Sequence, residues 1–133
     1  MTDKPVSGVP GPLVRGSERP ETWFEEGCFI TEWLNEAEQP GLSIARARVP
    51  AGKTTRWHSL TDITERYLVL AGSGRAEIGD GEPLELVVGD SVTIAPGQRQ
   101  RITNIGSGPL EFLAICTPRF VTTAYIDLDA PRV

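Results

Sequence analysis

GKTTRWHSLTDITERYLVLAGSG, residues 52–74, is the most informative stretch of this chain. It contains the single histidine of the sequence, His58, and Glu65 follows seven positions later. The segment TERYLVL, residues 64–70, ends in four consecutive aromatic or aliphatic residues and is followed by Ala-Gly-Ser-Gly. A short apolar run bounded by turn residues is typical of a buried strand. The stretch therefore places a histidine and a carboxylate beside a predicted buried strand.

The same alternation of short apolar runs and turn residues continues along most of the chain. No segment keeps a sustained period of about 3.6 residues, so no long helix is predicted. Many short strands with little helix indicate a sandwich or barrel. We predict strands at residues 27–34, 42–49, 54–58, 64–70, 74–78, 84–87, 91–95, 99–104 and 109–116, with a further strand in residues 120–133.

The length of 133 residues and the ordinary composition predict one globular domain. The formal net charge of −5 argues against nucleic acid or an anionic membrane as a partner, because both select a basic face. Cys28 and Cys116 are too few and too far apart for a disulfide framework, so reduced thiols are expected. The sequence shows no apolar signal region and no membrane-spanning run, and a cytoplasmic protein is predicted.

The first residues differ from the rest in composition. Residues 1–21 are rich in Pro and Gly and carry no strand or helix pattern, so they are predicted to form a flexible arm. Residues 22–133 are predicted to form a single β-barrel domain.

The strand at residues 64–70 is apolar on both faces. Glu65, Tyr67 and Val69 share one face, while Leu68 and Leu70 lie on the other. A sheet with two apolar faces needs a cover on its outer side. In a chain of this length another subunit is the expected cover, which predicts a homodimer.

The sequence ARAR, residues 45–48, alternates small and cationic side chains. If Arg46 and Arg48 lined the barrel, their guanidinium groups would suit a carboxylate or a phosphate. If they point outward, they are surface charges and the alanines line the core. The outward orientation is favoured.

The spacing of residues 52–72 resembles the first motif of the cupin superfamily, Gly-x5-His-x-His-x(3,4)-Glu-x6-Gly. Gly52, His58, Glu65 and Gly72 match it in kind and in spacing. The second histidine of the motif is replaced by Leu60.

Residues 87–115 resemble the second cupin motif, which ends Pro-x-Gly-x2-His-x3-Asn. The Pro-x-Gly element is shortened to Pro96-Gly97, and Asn104 is present. Counting back four positions from Asn104 places Gln100 where the motif has its histidine. The resemblance covers about residues 42–120, and it implies a small single-domain cupin with an all-β, double-stranded β-helix (jelly-roll) fold.

The resemblance also implies a site inside the barrel. In cupins the motif residues hold a divalent metal with three His and one Glu, and leucine cannot replace a ligand. His58, Glu65 and Gln100 remain, as one nitrogen and two oxygen donors. Such a set suits Mn²⁺, Ni²⁺, Zn²⁺ or Fe²⁺ with bound waters, and it falls short of the facial triad of iron oxygenases. Dioxygenase chemistry is therefore disfavoured, and a metal-free pocket and a structural His58–Glu65 pair stay open.

A metal-free pocket has its own chemistry. His58 hydrogen-bonded to Glu65 would be an oriented general base, and Tyr67 would orient a substrate or serve as a core aromatic. The function predicted is proton transfer, of isomerase, epimerase, lyase or cyclase type. The expected substrate is a sugar-like molecule, a keto acid or a polyketide. The alternative is a non-catalytic cupin that senses or stores a small molecule or a metal.

Overall fold

The computed structural model describes residues 11–129, and within that range the regular secondary structure is almost entirely β-strand. Two short 3-10 turns are its helical elements, so no helix in this range is long enough to cross a membrane. The strands are β1 (Thr22–Phe24), β2 (Cys28–Leu34), β3 (Ser43–Val49), β4 (His58–Leu60), β5 (Thr64–Ala71), β6 (Gly74–Ile78), β7 (Leu84–Leu86), β8 (Ser91–Ile94), β9 (Gln100–Asn104), β10 (Leu110–Thr117) and β11 (Tyr125–Asp127).

The strands form two antiparallel sheets whose order crosses between distant parts of the chain. The six-stranded sheet has the order β1-β2-β3-β10-β5-β8, and the five-stranded sheet has the order β11-β4-β9-β6-β7. β10 lies between β3 and β5, although a long stretch of chain separates it from either. This arrangement confirms the predicted all-β, double-stranded β-helix fold.

Side chains alternate between the core and the outside as the strand patterns predict. In β5, Glu65, Tyr67 and Val69 are buried, and in β9 the buried residues are Gln100, Ile102 and Asn104. Period-2 alternation of this kind places one residue in two between the sheets. The polar residues of both motifs therefore point into the same core.

The arginines of β3 lie on the outer side. Ala47 is 1% exposed, whereas Arg46 pairs with Glu111 and Arg48 pairs with Glu21 at 2.7 Å. The favoured outward orientation is therefore found, and neither guanidinium reaches the pocket.

One predicted strand is misplaced. The sequence predicts a paired strand over residues 54–58, but the strand here is His58–Leu60. Thr54 makes an isolated bridge to Thr103, and the amide of Arg56 donates to the carbonyl oxygen of Glu26 at 2.7 Å. Because the backbone bonds of this segment go to two different parts of the chain, no continuous ladder forms before His58.

The last glycine of the first motif is required by the backbone around it. Gly72 has φ +79°, and a Cβ atom at this position would lie 2.6 Å from the carbonyl oxygen of Pro109. The turn after β5 therefore requires a residue without a side chain.

The described part of the arm contacts the barrel. Residues 11–21 include the 3-10 turn Gly16–Glu18, and an added Cβ at Gly16 would meet the Trp33 ring at 2.8 Å. Arg19 pairs with Glu36 at 3.2 Å. Residues 1–10, on which the rest of the predicted arm falls, lie outside the described residues.

Candidate active site

A cavity of about 420 Å³ lies between the sheets and opens beside the arm. This volume falls in the range of small-molecule sites. We call its most buried wall the pocket floor and its most exposed wall the pocket mouth. The floor consists of His58, Glu65, Tyr67, Phe112 and Cys116, and the mouth of Arg19, Pro20, Thr22, Glu32 and Thr122.

The histidine of the floor is held on both ring nitrogens. Nε2 of His58 lies 2.7 Å from Oε1 of Glu26, and Nδ1 lies 2.7 Å from the carbonyl oxygen of Arg56. The ring of Tyr125 stacks on the imidazole, with centroids 5.2 Å apart. The expected His58–Glu65 hydrogen bond is therefore not the one found, because both nitrogens already have other partners.

The pairing controls the charge of the histidine. Burial opposes the charged imidazolium, but the Glu26 carboxylate outweighs it and raises the pKa of His58 to about 9. Burial likewise opposes ionisation of Glu26, yet the charge and hydrogen bonds supplied by His58 and Cys28 bring its pKa below the ordinary value. At neutral pH the two residues form a buried ion pair.

Glu65 is a floor carboxyl group that makes no ion pair in the described part of the chain. It is 7% exposed, and its Oε1 atom is buried without a hydrogen-bond partner. The thiol of Cys116 donates to Oε2 across 3.7 Å. Burial, together with the negative charge of Glu26, raises the pKa of Glu65 to about 7. Glu65 can therefore both accept and release a proton near neutral pH.

Gln100 and Tyr67 form a second polar contact beside Glu65. His58 and Gln100 are direct cross-strand neighbours on β4 and β9. The Tyr67 hydroxyl donates to Oε1 of Gln100, and the Tyr67 ring packs on Phe112 with centroids 4.4 Å apart. Nε2 of Gln100 is buried without a hydrogen-bond partner. The Gln100 side chain is still close enough to Glu65 to oppose the rise in the pKa of Glu65. The structure thus brings His58, Glu65, Tyr67 and Gln100 together.

Glu26 is the site residue that the sequence analysis missed. It lies in the turn between β1 and β2, outside both cupin motifs. Its Oε2 atom accepts from the thiol of Cys28 at 3.4 Å. No pattern pointed to it, because Glu26 lies in a turn beside Gly27 at φ +109°, where the strand alternation that places Cys28 does not apply.

The predicted metal ligands are near one another, but the donor atoms of His58 and Gln100 are engaged. Both nitrogens of His58 have hydrogen-bond partners, and Oε1 of Gln100 accepts from Tyr67. A metal needs a free lone pair on the imidazole, and a protonated imidazole has none. Within residues 11–129 no group of three His, Cys, Asp or Glu residues is arranged to hold a metal. As arranged here, the donor set does not fit a metal centre.

Comparisons with known proteins agree with the fold and the motifs. Residues 45–116 match the family model described as Cupin domain. An uncharacterized protein of Methanocaldococcus jannaschii is 34% identical over 98 residues, which are 72% of this chain and 78% of that protein.

Two solved structures share the fold at lower identity. A predicted oxalate decarboxylase from Thermotoga maritima has a TM-score of 0.71 and 24% identity, and the match covers 80% of this chain and 98% of that one. A nucleoside dehydratase from Streptomyces has a TM-score of 0.73 and 17% identity, and the match covers 90% and 92% of the two chains. These likenesses show the fold, and the two activities differ from each other. The family match, the relative and the two-sheet topology together place this chain in the cupin domain family.

Proposed function

We propose that this cupin catalyses proton transfer on a small molecule bound in its pocket, by isomerisation, epimerisation, elimination or cyclisation. Glu65 acts as the general acid–base. The imidazolium of His58, held by Glu26, stabilises the negative charge that develops on the substrate when a proton is removed.

The state of Glu65 is the observation that carries this proposal. A buried carboxyl group usually finds hydrogen-bond partners for its oxygens. Oε1 of Glu65 has none, and the residue lines a cavity large enough for a substrate. Its pKa of about 7 matches the value at which an acid–base group works best near neutral pH.

The role of His58 follows from its contacts. A ring whose two nitrogens are already bonded is a poor base, because no lone pair is available while Glu26 remains ionised. A fixed imidazolium beside Glu65 is instead a preorganised positive charge. This assigns the base to Glu65 and the electrostatic role to His58.

The dehydratase neighbour supports elimination as chemistry that this fold can host. Loss of water requires removal of one proton and donation of another to the leaving hydroxyl. One carboxyl group with a pKa near neutrality can do both in turn. At 17% identity the likeness supplies a precedent and no substrate.

The test is deuterium exchange, which detects proton transfer whichever product is formed. The full chain is incubated in D₂O with a panel of aldoses, ketoses, diketones and keto acids, and exchange at carbon is followed by NMR. We expect Glu65→Gln to lower the exchange rate by about 10²–10⁴-fold, the usual share of general acid–base catalysis. Glu77→Gln is the matched control, since Glu77 pairs with Arg101 on the outer surface. Equal rates for Glu65→Gln and the unmodified chain would overturn the proposal.

A binding module is the second candidate, and one observation favours it. Both ring nitrogens of His58 have partners, and Tyr67 is bonded to Gln100, so few groups are free to react, as in a purely structural network. If panel compounds bind and none exchanges faster than in buffer, the binding module is supported. Loss of exchange with retained binding in Glu65→Gln supports the enzyme.

A further inference from the structure

The charges on the pocket floor limit which ligands can enter. This inference rests on the proposed function, since it concerns the substrate of the same pocket. The imidazolium of His58 is compensated by Glu26 at 2.7 Å, whereas Glu65 makes no ion pair among the described residues. A carboxylate or phosphate placed beside Glu65 would meet a like charge where water is scarce.

The mouth offers little compensation for an anion. Arg19 and His58 are the cationic residues that line the pocket within residues 11–129. Arg19 is already paired with Glu36 at 3.2 Å, and its side chain is 42% exposed. Glu32 lies at the same mouth and adds a negative charge. An exposed, already paired arginine contributes little to holding an anion.

The polar atoms that do await a partner are few and specific. Oε1 of Glu65 and the hydroxyl oxygen of Tyr125 are both buried without a hydrogen bond, and both residues line the cavity. Leaving such groups unpaired is costly, so a ligand that satisfies them gains affinity and specificity. A hydroxyl group can donate to one and accept from the other, as their protonation requires.

The wall between floor and mouth is aromatic. The rings of Phe24 and Tyr125 meet edge to face with centroids 5.1 Å apart, and Phe24 meets Phe120 at 6.4 Å. Ala45 and Ala114 also line the cavity and occupy little of it. Aromatic side chains together with small ones suit a flat apolar body.

We infer that the pocket binds a molecule without an anionic group, with a flat apolar body and a hydroxyl or carbonyl group that reaches Glu65, and that it rejects carboxylates and phosphates. Keto acids are thereby disfavoured relative to hydroxylated ring compounds.

The experiment compares ligands that differ in one charged group. Binding of methyl gallate and gallate, and of phenyl glucoside and its phosphate ester, is measured on the full chain at pH 8, where Glu65 is ionised and His58 keeps its proton, by titration calorimetry or saturation-transfer NMR. We expect the uncharged member of each pair to bind at least about ten-fold more tightly, because the anion meets an uncompensated carboxylate. Equal or tighter binding of the anions would overturn the inference, and so would failure of both uncharged probes to bind at millimolar concentration.

The variant Glu65→Gln tests whether Glu65 is the residue that disfavours anionic ligands. In Glu65→Gln the uncompensated charge is removed, so the affinity ratio of each pair should move toward one, while Glu77→Gln should leave it unchanged. Because this experiment measures only ligand affinity, its result does not depend on whether the protein is a catalyst. If the exchange test fails and the charge discrimination stands, the pocket is a selective binding site. If the discrimination fails and exchange stands, the enzyme has a different substrate class.

Discussion

Nε2 of His58 lies 2.7 Å from Oε1 of Glu26, and the pair is buried under the ring of Tyr125. The imidazole comes from the cupin motif, and the carboxylate comes from a turn near the start of the domain. This contact keeps the histidine protonated, and in the proposed function the acid–base role belongs to Glu65. The charge states of both residues, and the stability that depends on them, can be measured.

The first prediction concerns the protonation of His58. Glu26→Gln removes the carboxylate that outweighs burial, so the pKa of His58 should fall from about 9 to its ordinary value or below. The chain has one histidine, so a proton NMR titration of the ring shows one set of signals without assignment. Glu21→Gln is the control, since Glu21 pairs with Arg48 at the surface. A histidine pKa that stays near 9 in Glu26→Gln would refute the assigned pair.

The second concerns stability at alkaline pH. The pKa of His58 rises on folding from an ordinary 6.5 to about 9. The contribution of this shift to the free energy of unfolding is therefore complete below pH 6.5 and is lost as pH rises through 9. The shift corresponds to about 3 kcal/mol. Urea unfolding should therefore show stability falling over that window. In Glu26→Gln the fall should disappear, and a slope unchanged from that of the unmodified chain would contradict the prediction.

The third concerns stability in mild acid. The pKa of Glu65 rises on folding from an ordinary 4.5 to about 7, which favours its neutral form in the native state. The contribution of this shift to the free energy of unfolding, again about 3 kcal/mol, is complete below pH 4.5 and is lost as pH rises through 7. Glu65→Gln should flatten the unfolding free energy in this lower window and leave the upper window in place. A steep lower window in that variant would assign the slope to other groups.

The fourth concerns the thiol beside Glu65. Cys116 donates to Oε2 of Glu65 at 3.7 Å, and burial raises the pKa of this thiol so that it stays protonated. Cys116→Ala removes the donor, so the pKa of Glu65 should rise, while Cys116→Ser keeps a donor and should shift it less. Carbon NMR of labelled glutamate measures both variants. Identical titrations in the alanine variant and the unmodified chain would show that the thiol has no influence.

The fifth concerns metal. With both His58 nitrogens engaged, the purified chain should bind no stoichiometric divalent ion, as measured by elemental analysis after preparation without a nickel column. Leu60→His with Gln100→His places imidazoles at the two buried motif positions that lack them, and this double variant should gain affinity for Ni²⁺ or Zn²⁺. One ion per chain in the unmodified protein, lost in His58→Ala, would contradict the donor analysis.

The predicted homodimer remains a proposal, for which the outer side of the six-stranded sheet is the candidate interface. Leu68 and Leu113 are cross-strand neighbours on the outer side of the six-stranded sheet, and Ile115 and Ile44 form a second such pair. These side chains are partly exposed and form an apolar stripe suited to a second copy of the chain. Light scattering at micromolar concentration should give about twice 14.4 kDa. A monomer mass would end this proposal.

Much of the architecture was predictable from local patterns. Turn residues at regular spacing predicted most of the strands, and alternation in TERYLVL predicted that Glu65, Tyr67 and Val69 share one face, which is the buried one. These predictions succeed because turn chemistry and the two-residue side-chain period depend on neighbours in the chain. The strand at residues 54–58 was misplaced because its hydrogen bonds go to distant partners.

The sequence by itself determined the fold class and the inward position of His58, Glu65 and Gln100, since alternation and motif spacing are local properties. Only the tertiary structure decided which carboxylate holds the histidine. Glu26 and His58 are far apart in the chain, and they meet because the turn between β1 and β2 lies beside the segment that leads into β4. No local sequence pattern encodes this contact between Glu26 and His58. Tertiary packing therefore decided both the charge of His58 and the absence of a hydrogen-bond partner at Oε1 of Glu65.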